Sequence, residues 1–155
     1  MSLANIQTGQ TALVMEQFLE KIQQDVNIPS KKPKVLVIHT GGTFGTLFRP
    51  HTDEEYFEKN FLLNEIKAKH PSLSFRNDSN FLENEFLLYW IFELDPLIDS
   101  ANMDMKHWTL LCQLIKQSYV HFDGFVILHG TNTMEYSASA LSFMIKVRLI
   151  LNLGN

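Results

Sequence analysis

Apolar residues Met15, Phe18, Leu19, Ile22 and Val26 recur at helical spacing on one face, and Asn27, Pro29 and Ser30 close the segment. The pattern predicts an amphipathic helix whose apolar stripe folds against its own chain. Residues 1–33 are therefore read as this helix plus a linker, and residues 34–155 as an α/β domain. Two later runs, Val35–Ile38 and Phe125–Leu128, are short and apolar without alternation, as strands buried on both faces of a parallel sheet should be. Between them, Asn60–Lys69 reads as a short helix stopped at His70-Pro71, and Phe86–Phe92 as a further strand. Asp104 can cap a following helix in which Trp108, Leu111, Ile115 and Tyr119 share a face. The alternation of strand and helix predicts a doubly wound, mostly parallel sheet with flanking helices and right-handed crossovers. Val147–Leu151 fits either an extension of the last helix or a new strand.

Composition narrows the partners. With 155 residues and 45% apolar content the chain can fill one core. Thirteen basic against seventeen acidic residues leave a formal charge of -4, which argues against an electrostatic nucleic-acid surface or a polybasic membrane patch and favours a small ligand. Cys112 is the only cysteine, so neither an intrachain disulfide nor a cysteine zinc site can form. The first ten residues lack the basic start of an export signal, and no apolar run reaches about 18 residues. A soluble cytoplasmic protein is expected.

Candidate chemistry gathers at the ends of the two apolar strands. The first is followed by His39-Thr40-Gly41-Gly42-Thr43 and the second by His129-Gly130-Thr131-Asn132-Thr133. In wound sheets ligands bind outside the carboxyl ends of the strands. Glycines there let the backbone turn sharply and let a ligand reach amides that a Cβ would shield. Threonine hydroxyls become nucleophiles when a base takes the proton and amides receive the oxyanion. Each turn also has a plain structural reading, with Thr131 or Thr133 merely capping the next helix. Gly41, Gly42 and Gly45 do not meet the dinucleotide spacing, and the six histidines show no metal-ligand spacing. No Gly-x-Ser-x-Gly elbow is present.

The residues carrying these turns resemble a known family. Val35–Gly45, reading VLVIHTGGTFG, is similar to the first signature of the asparaginases, and Asp123–Met134, reading DGFVILHGTNTM, to the second. Tyr136–Met144 resembles the helix that follows in bacterial type I enzymes, and Leu97–Met103 the loop bearing the substrate serine. The resemblance covers Lys34 to Ile145 and implies the fold of the N-terminal domain of those enzymes. It further implies hydrolysis of L-asparagine to L-aspartate and ammonia without cofactor or metal. Thr43 corresponds to the nucleophile, Thr131 to the second essential threonine, and Ser100 to the serine that holds the α-carboxylate. Tyr56 matches the tyrosine of the mobile lid, while Asp99, Gly42, Gly130 and Asn132 fall with Ser100 in the substrate-binding set.

Two departures shape the expectation. The family reads His-Gly-Thr-Asp-Thr where this chain has Asn132, so the negative charge that meets the substrate's α-ammonium is missing. Family members are also about twice as long, and their relay lysine lies beyond the second signature. The resemblance implies an oligomeric parent whose sites take residues from a neighbouring subunit. For this chain the implied outcome is weak or absent activity alone, acting as a homo-oligomer or paired with a full-length relative. Alternatives are a catalytically degenerate amino-acid-binding or regulatory subunit, and an incomplete gene product.

Overall fold

A computed structural model describes residues 13–22, 30–42, 46–48, 55–57, 61–70, 74–75, 81–145 and 149–152. In chain order these form α1 (residues 13–22), β1 (Lys34–Gly41), β2 (Thr46–Phe48), β3 (Glu55–Phe57) and α2 (Phe61–Lys69). There follow β4 (Ser74–Phe75), β5 (Phe81–Glu83), β6 (Leu88–Ile98), α3 (Met105–Ser118), β7 (Gly124–Leu128), α4 (Met134–Met144) and β8 (Leu149–Asn152). Six strands make one sheet in the order β4-β5-β6-β1-β7-β8, and β2 and β3 pair separately. The stretch β6-β1-β7-β8 is parallel, whereas β5 pairs antiparallel with β6 and β4 with β5. The mostly parallel α/β sheet is as expected; the antiparallel β4-β5 edge was not foreseen.

Alternation sorts the central strands onto two faces. Leu36 and Ile38 of β1 stand opposite Trp90 and Phe92 of β6 and Phe125 and Ile127 of β7. All six share one core with Leu111, Leu114 and Ile115 of α3 and Leu141 of α4. Met15, Phe18 and Ile22 of α1 join the same core, with the Phe18 and Phe92 ring centroids 4.7 Å apart. The apolar stripe thus folds onto its own sheet, where each fully buried large side chain contributes about 1.5–3 kcal/mol. Val26 lies outside the described residues. On the opposite face, Leu62 and Leu63 of α2 cover Leu82 and Ile91. Glu93 ties that helix down, its Oε1 accepting the Leu62 N–H at 2.8 Å.

Three expectations shift in detail. The strand read as Phe86–Phe92 runs from Leu88 to Ile98, because Asn84 Oδ1 accepts the N–H groups of both Phe86 and Leu87 and so builds the turn out of β5. Phe86 is left exposed on that turn. Helix α3 buries Leu110, Leu111, Leu114, Ile115 and Ser118, while Tyr119 falls at its C-cap, 51% exposed, because the helix ends one residue before it. The open alternative at the carboxyl side resolves as a strand: β8 adds in parallel to β7, with Phe125 opposite Leu149. No helix among the described residues is long and apolar enough to cross a membrane.

Asp104 caps α3 as the pattern predicts. Its carboxylate accepts the N–H of Lys106 at 2.9 Å and of His107 at 3.3 Å. Desolvation works to raise its pKa, yet these amide donors and the neighbouring positive charges outweigh it and hold the carboxyl below its ordinary value. A depressed carboxylate stabilises the fold above its unfolded pKa, and that contribution is lost as pH falls through the folded one. Asp104→Ala should therefore cost about 1 kcal/mol at neutral pH. Urea unfolding should show the gap to wild type closing in acid; a gap independent of pH would contradict the capping account.

Candidate functional site

Among the parallel strands the chain visits β1, then β6 on one side, then β7 and β8 on the other. The winding direction therefore reverses at β1, and crevices outside the carboxyl ends of strands at such a switch are where wound sheets bind ligands. Three strand ends meet there: Gly41-Gly42 at the end of β1, Asp99-Ser100 after β6, and His129-Gly130 after β7.

Their contact is close enough to dictate residue type. Gly42 donates its N–H to the Ile98 carbonyl at 3.1 Å and sits at φ +87°, in the region that favours glycine. A Cβ on Gly42 would stand 2.5 Å from the Gly130 Cα. A Cβ on Gly130 would in turn stand 2.5 Å from the Ser100 Oγ and 2.7 Å from its Cβ. The two turns thus touch backbone to backbone, with Ser100 wedged against Gly130 and only 3% exposed. Thr133 Oγ1 donates to the Ser100 carbonyl at 2.5 Å, and Thr40 Oγ1 to the Leu128 carbonyl at 3.0 Å, so hydroxyls lash all three strand ends together. Asp99 caps the 3₁₀ turn Ser100–Asn102, its Oδ1 accepting the Ala101 N–H at 3.0 Å.

Of the residues singled out from the sequence, Gly42, Gly130, Ser100 and Asp99 come together in this cluster. Thr131 and Asn132 begin the 3₁₀ turn Thr131–Thr133 directly after Gly130, and both are exposed. Tyr56 lies on β3 opposite Leu47 of β2. Thr43 falls outside the described residues, one position beyond Gly42. Thr133, weighed earlier as a cap, makes no capping bond and holds the Ser100 loop instead. That role and that of Thr40 were missed. Their only signal was that small polar residues crowd both turns.

Chemically, the cluster offers two glycine turns packed against each other, a buried serine behind Gly130, and the exposed hydroxyl and amide side chains of Thr131 and Asn132. Cys112 is remote in sequence from these turns, and burial pushes its thiol pKa up, which disfavours the reactive thiolate. No group of three or more His, Cys, Asp or Glu side chains that could hold a metal ion occurs among the described residues.

The family described as "Asparaginase, N-terminal" matches residues 34–149. L-asparaginase 1 of Escherichia coli (strain K12) is 37% identical over 116 residues, covering 75% of this chain and 31% of that protein. An L-asparaginase of Dirofilaria immitis is 34% identical over 131 residues, 72% of this chain and 21% of that protein. The crystal structure of L-asparaginase I from Vibrio cholerae superposes with a TM-score of 0.55 at 36% identity, covering 72% of this chain and 30% of that one. The chain thus spans about a third or less of the relatives it matches.

Proposed function

The chain belongs to the asparaginase family, and we propose that it carries the N-terminal part of an amidohydrolase site for L-asparagine. Thr43 supplies the nucleophilic hydroxyl, which attacks the side-chain amide carbon. The C–N bond then breaks, ammonia leaves, and water cleaves the resulting ester to release L-aspartate. Ser100 and its loop hold the α-carboxylate, so that binding at the charged end orients the reacting end. Thr131 stands on the opposite turn as the second threonine, and Tyr56 on the β2-β3 pair assists the nucleophile. The observation that supports this reading most is the contact between the two glycine turns, Gly42 against Gly130, with Ser100 packed behind Gly130.

Asn132 favours reduced output. A side chain without charge meets the α-ammonium less well than a carboxylate, and exchanging a charge-assisted hydrogen bond for a neutral one costs about tenfold. The chain is proposed to act in the cytoplasm, as a homo-oligomer or with a longer relative completing the site. A second reading is favoured by the same Asn132: a binding subunit that holds an amino acid and turns it over poorly.

Ammonia release from L-asparagine by the purified chain tests both. Measurable turnover at roughly a tenth or less of an intact family enzyme, abolished by Thr131→Ala, is expected for the hydrolase. Binding of L-aspartate by calorimetry without any turnover selects the binding subunit. Absence of both binding and turnover would remove the amino-acid site altogether.

A further inference from the structure

His129 is 93% buried at the end of β7, and its Nδ1 lies 2.6 Å from the carbonyl oxygen of Gly130. A carbonyl only accepts, so Nδ1 must carry the proton. The other tautomer would set two lone pairs against each other at that distance. It would also leave an N–H at Nε2, an atom that is buried and has no hydrogen-bond partner among the described residues. Holding a bare acceptor there costs less than burying an unsatisfied donor and losing the Nδ1 bond as well.

The bond has a consequence one peptide further on. The Gly130 carbonyl and the Thr131 N–H belong to the same planar unit and point in opposite directions. Drawing the carbonyl toward the buried imidazole turns the Thr131 N–H away from it, and Thr131 itself is exposed. That N–H opens the 3₁₀ turn, where the first amides lack intrahelical acceptors. We propose that His129 is a positioning residue: its Nδ1–H fixes the Gly130-Thr131 peptide so that the Thr131 amide is aimed at an oxygen of the bound ligand. This rests on the amino-acid site proposed above, and it adds a residue that touches no substrate itself.

Two measurements separate this proposal from that reading. Long-range nitrogen chemical shifts of the His129 ring in the wild-type chain, near neutral pH, report the tautomer directly. Protonation at Nδ1 is expected, and protonation at Nε2 alone overturns the proposal whatever the chain binds. Calorimetry with L-aspartate supplies the second readout. His129→Asn, which keeps a neutral donor near the Nδ1 position, should bind within about twofold of wild type, and His129→Leu about fivefold more weakly. Equal affinity for His129→Leu, or no rescue by His129→Asn in folded protein, also overturns it. A wild-type chain that binds no aspartate counts against the amino-acid site, while the tautomer still decides the positioning.

Discussion

Gly42→Ala should cost about 4 kcal/mol and separate the two turns. The backbone at φ +87° strains any residue with a Cβ, a penalty of about 1–3 kcal/mol. The new methyl would also stand 2.5 Å from the Gly130 Cα and 2.8 Å from its N, and overpacking of that kind adds about 1–3 kcal/mol. Neither side can give way readily, because Gly130 is itself backed by Ser100. Domains of this size hold only about 5–15 kcal/mol in total, so the variant would lose much of its margin. Gly124→Ala is the matched control. Its Cβ would meet only the Val35 Cγ2, at 3.9 Å, and stability should stay within about 0.5 kcal/mol. Urea unfolding of the two variants beside wild type decides the matter. Equal midpoints would show that the turns do not press on each other, and the site proposed from their contact would go with them.

Asn132→Asp is expected to tighten L-aspartate binding about tenfold. On the proposed reading residue 132 faces the ligand's α-ammonium, where a neutral hydrogen bond becomes charge-assisted. Such bonds contribute about 1.5–3 kcal/mol against about 0.5–1.5 kcal/mol for neutral ones, a difference near one power of ten in affinity. Residue 132 is exposed, which sets screening by solvent against the gain and makes this figure an upper one. An added carboxylate just ahead of α4 also favours the helix dipole, so stability should rise slightly in parallel. Succinate separates the two effects. It keeps both carboxylates but has no ammonium, so Asn132→Asp should leave its binding unchanged or weaken it. Tighter binding of succinate and aspartate alike would mean that the substitution acts through the helix and that residue 132 does not read the ammonium.

Much of the site was legible before any coordinates. Gly42 and Gly130 follow buried apolar strands, and such pairs of signals are local: a β-branched run, then residues that tolerate an abrupt turn. Asp104 was legible for the same reason, since a cap acts on amides two and three residues away. Ser100 was reached only through family resemblance. Nothing in Asp99-Ser100-Ala101 announces that its serine packs against a glycine thirty residues later. The boundaries of β6 failed at Asn84, whose side chain takes two backbone N–H groups into a turn that hydrophobic patterning does not register.

By itself the sequence determined the central strands and the helices, the apolar faces they bury and the two glycine turns, because each depends on neighbours within a few positions along the chain. Only the tertiary structure decided that β1 lies between β6 and β7, that an antiparallel edge extends the sheet, that Ser100 fills the space a Gly130 side chain would need, and that the His129 ring lies against the Gly130 carbonyl. Those are settled by register between segments tens of residues apart, where the free energy lies in excluded volume and paired polar groups that no local pattern encodes.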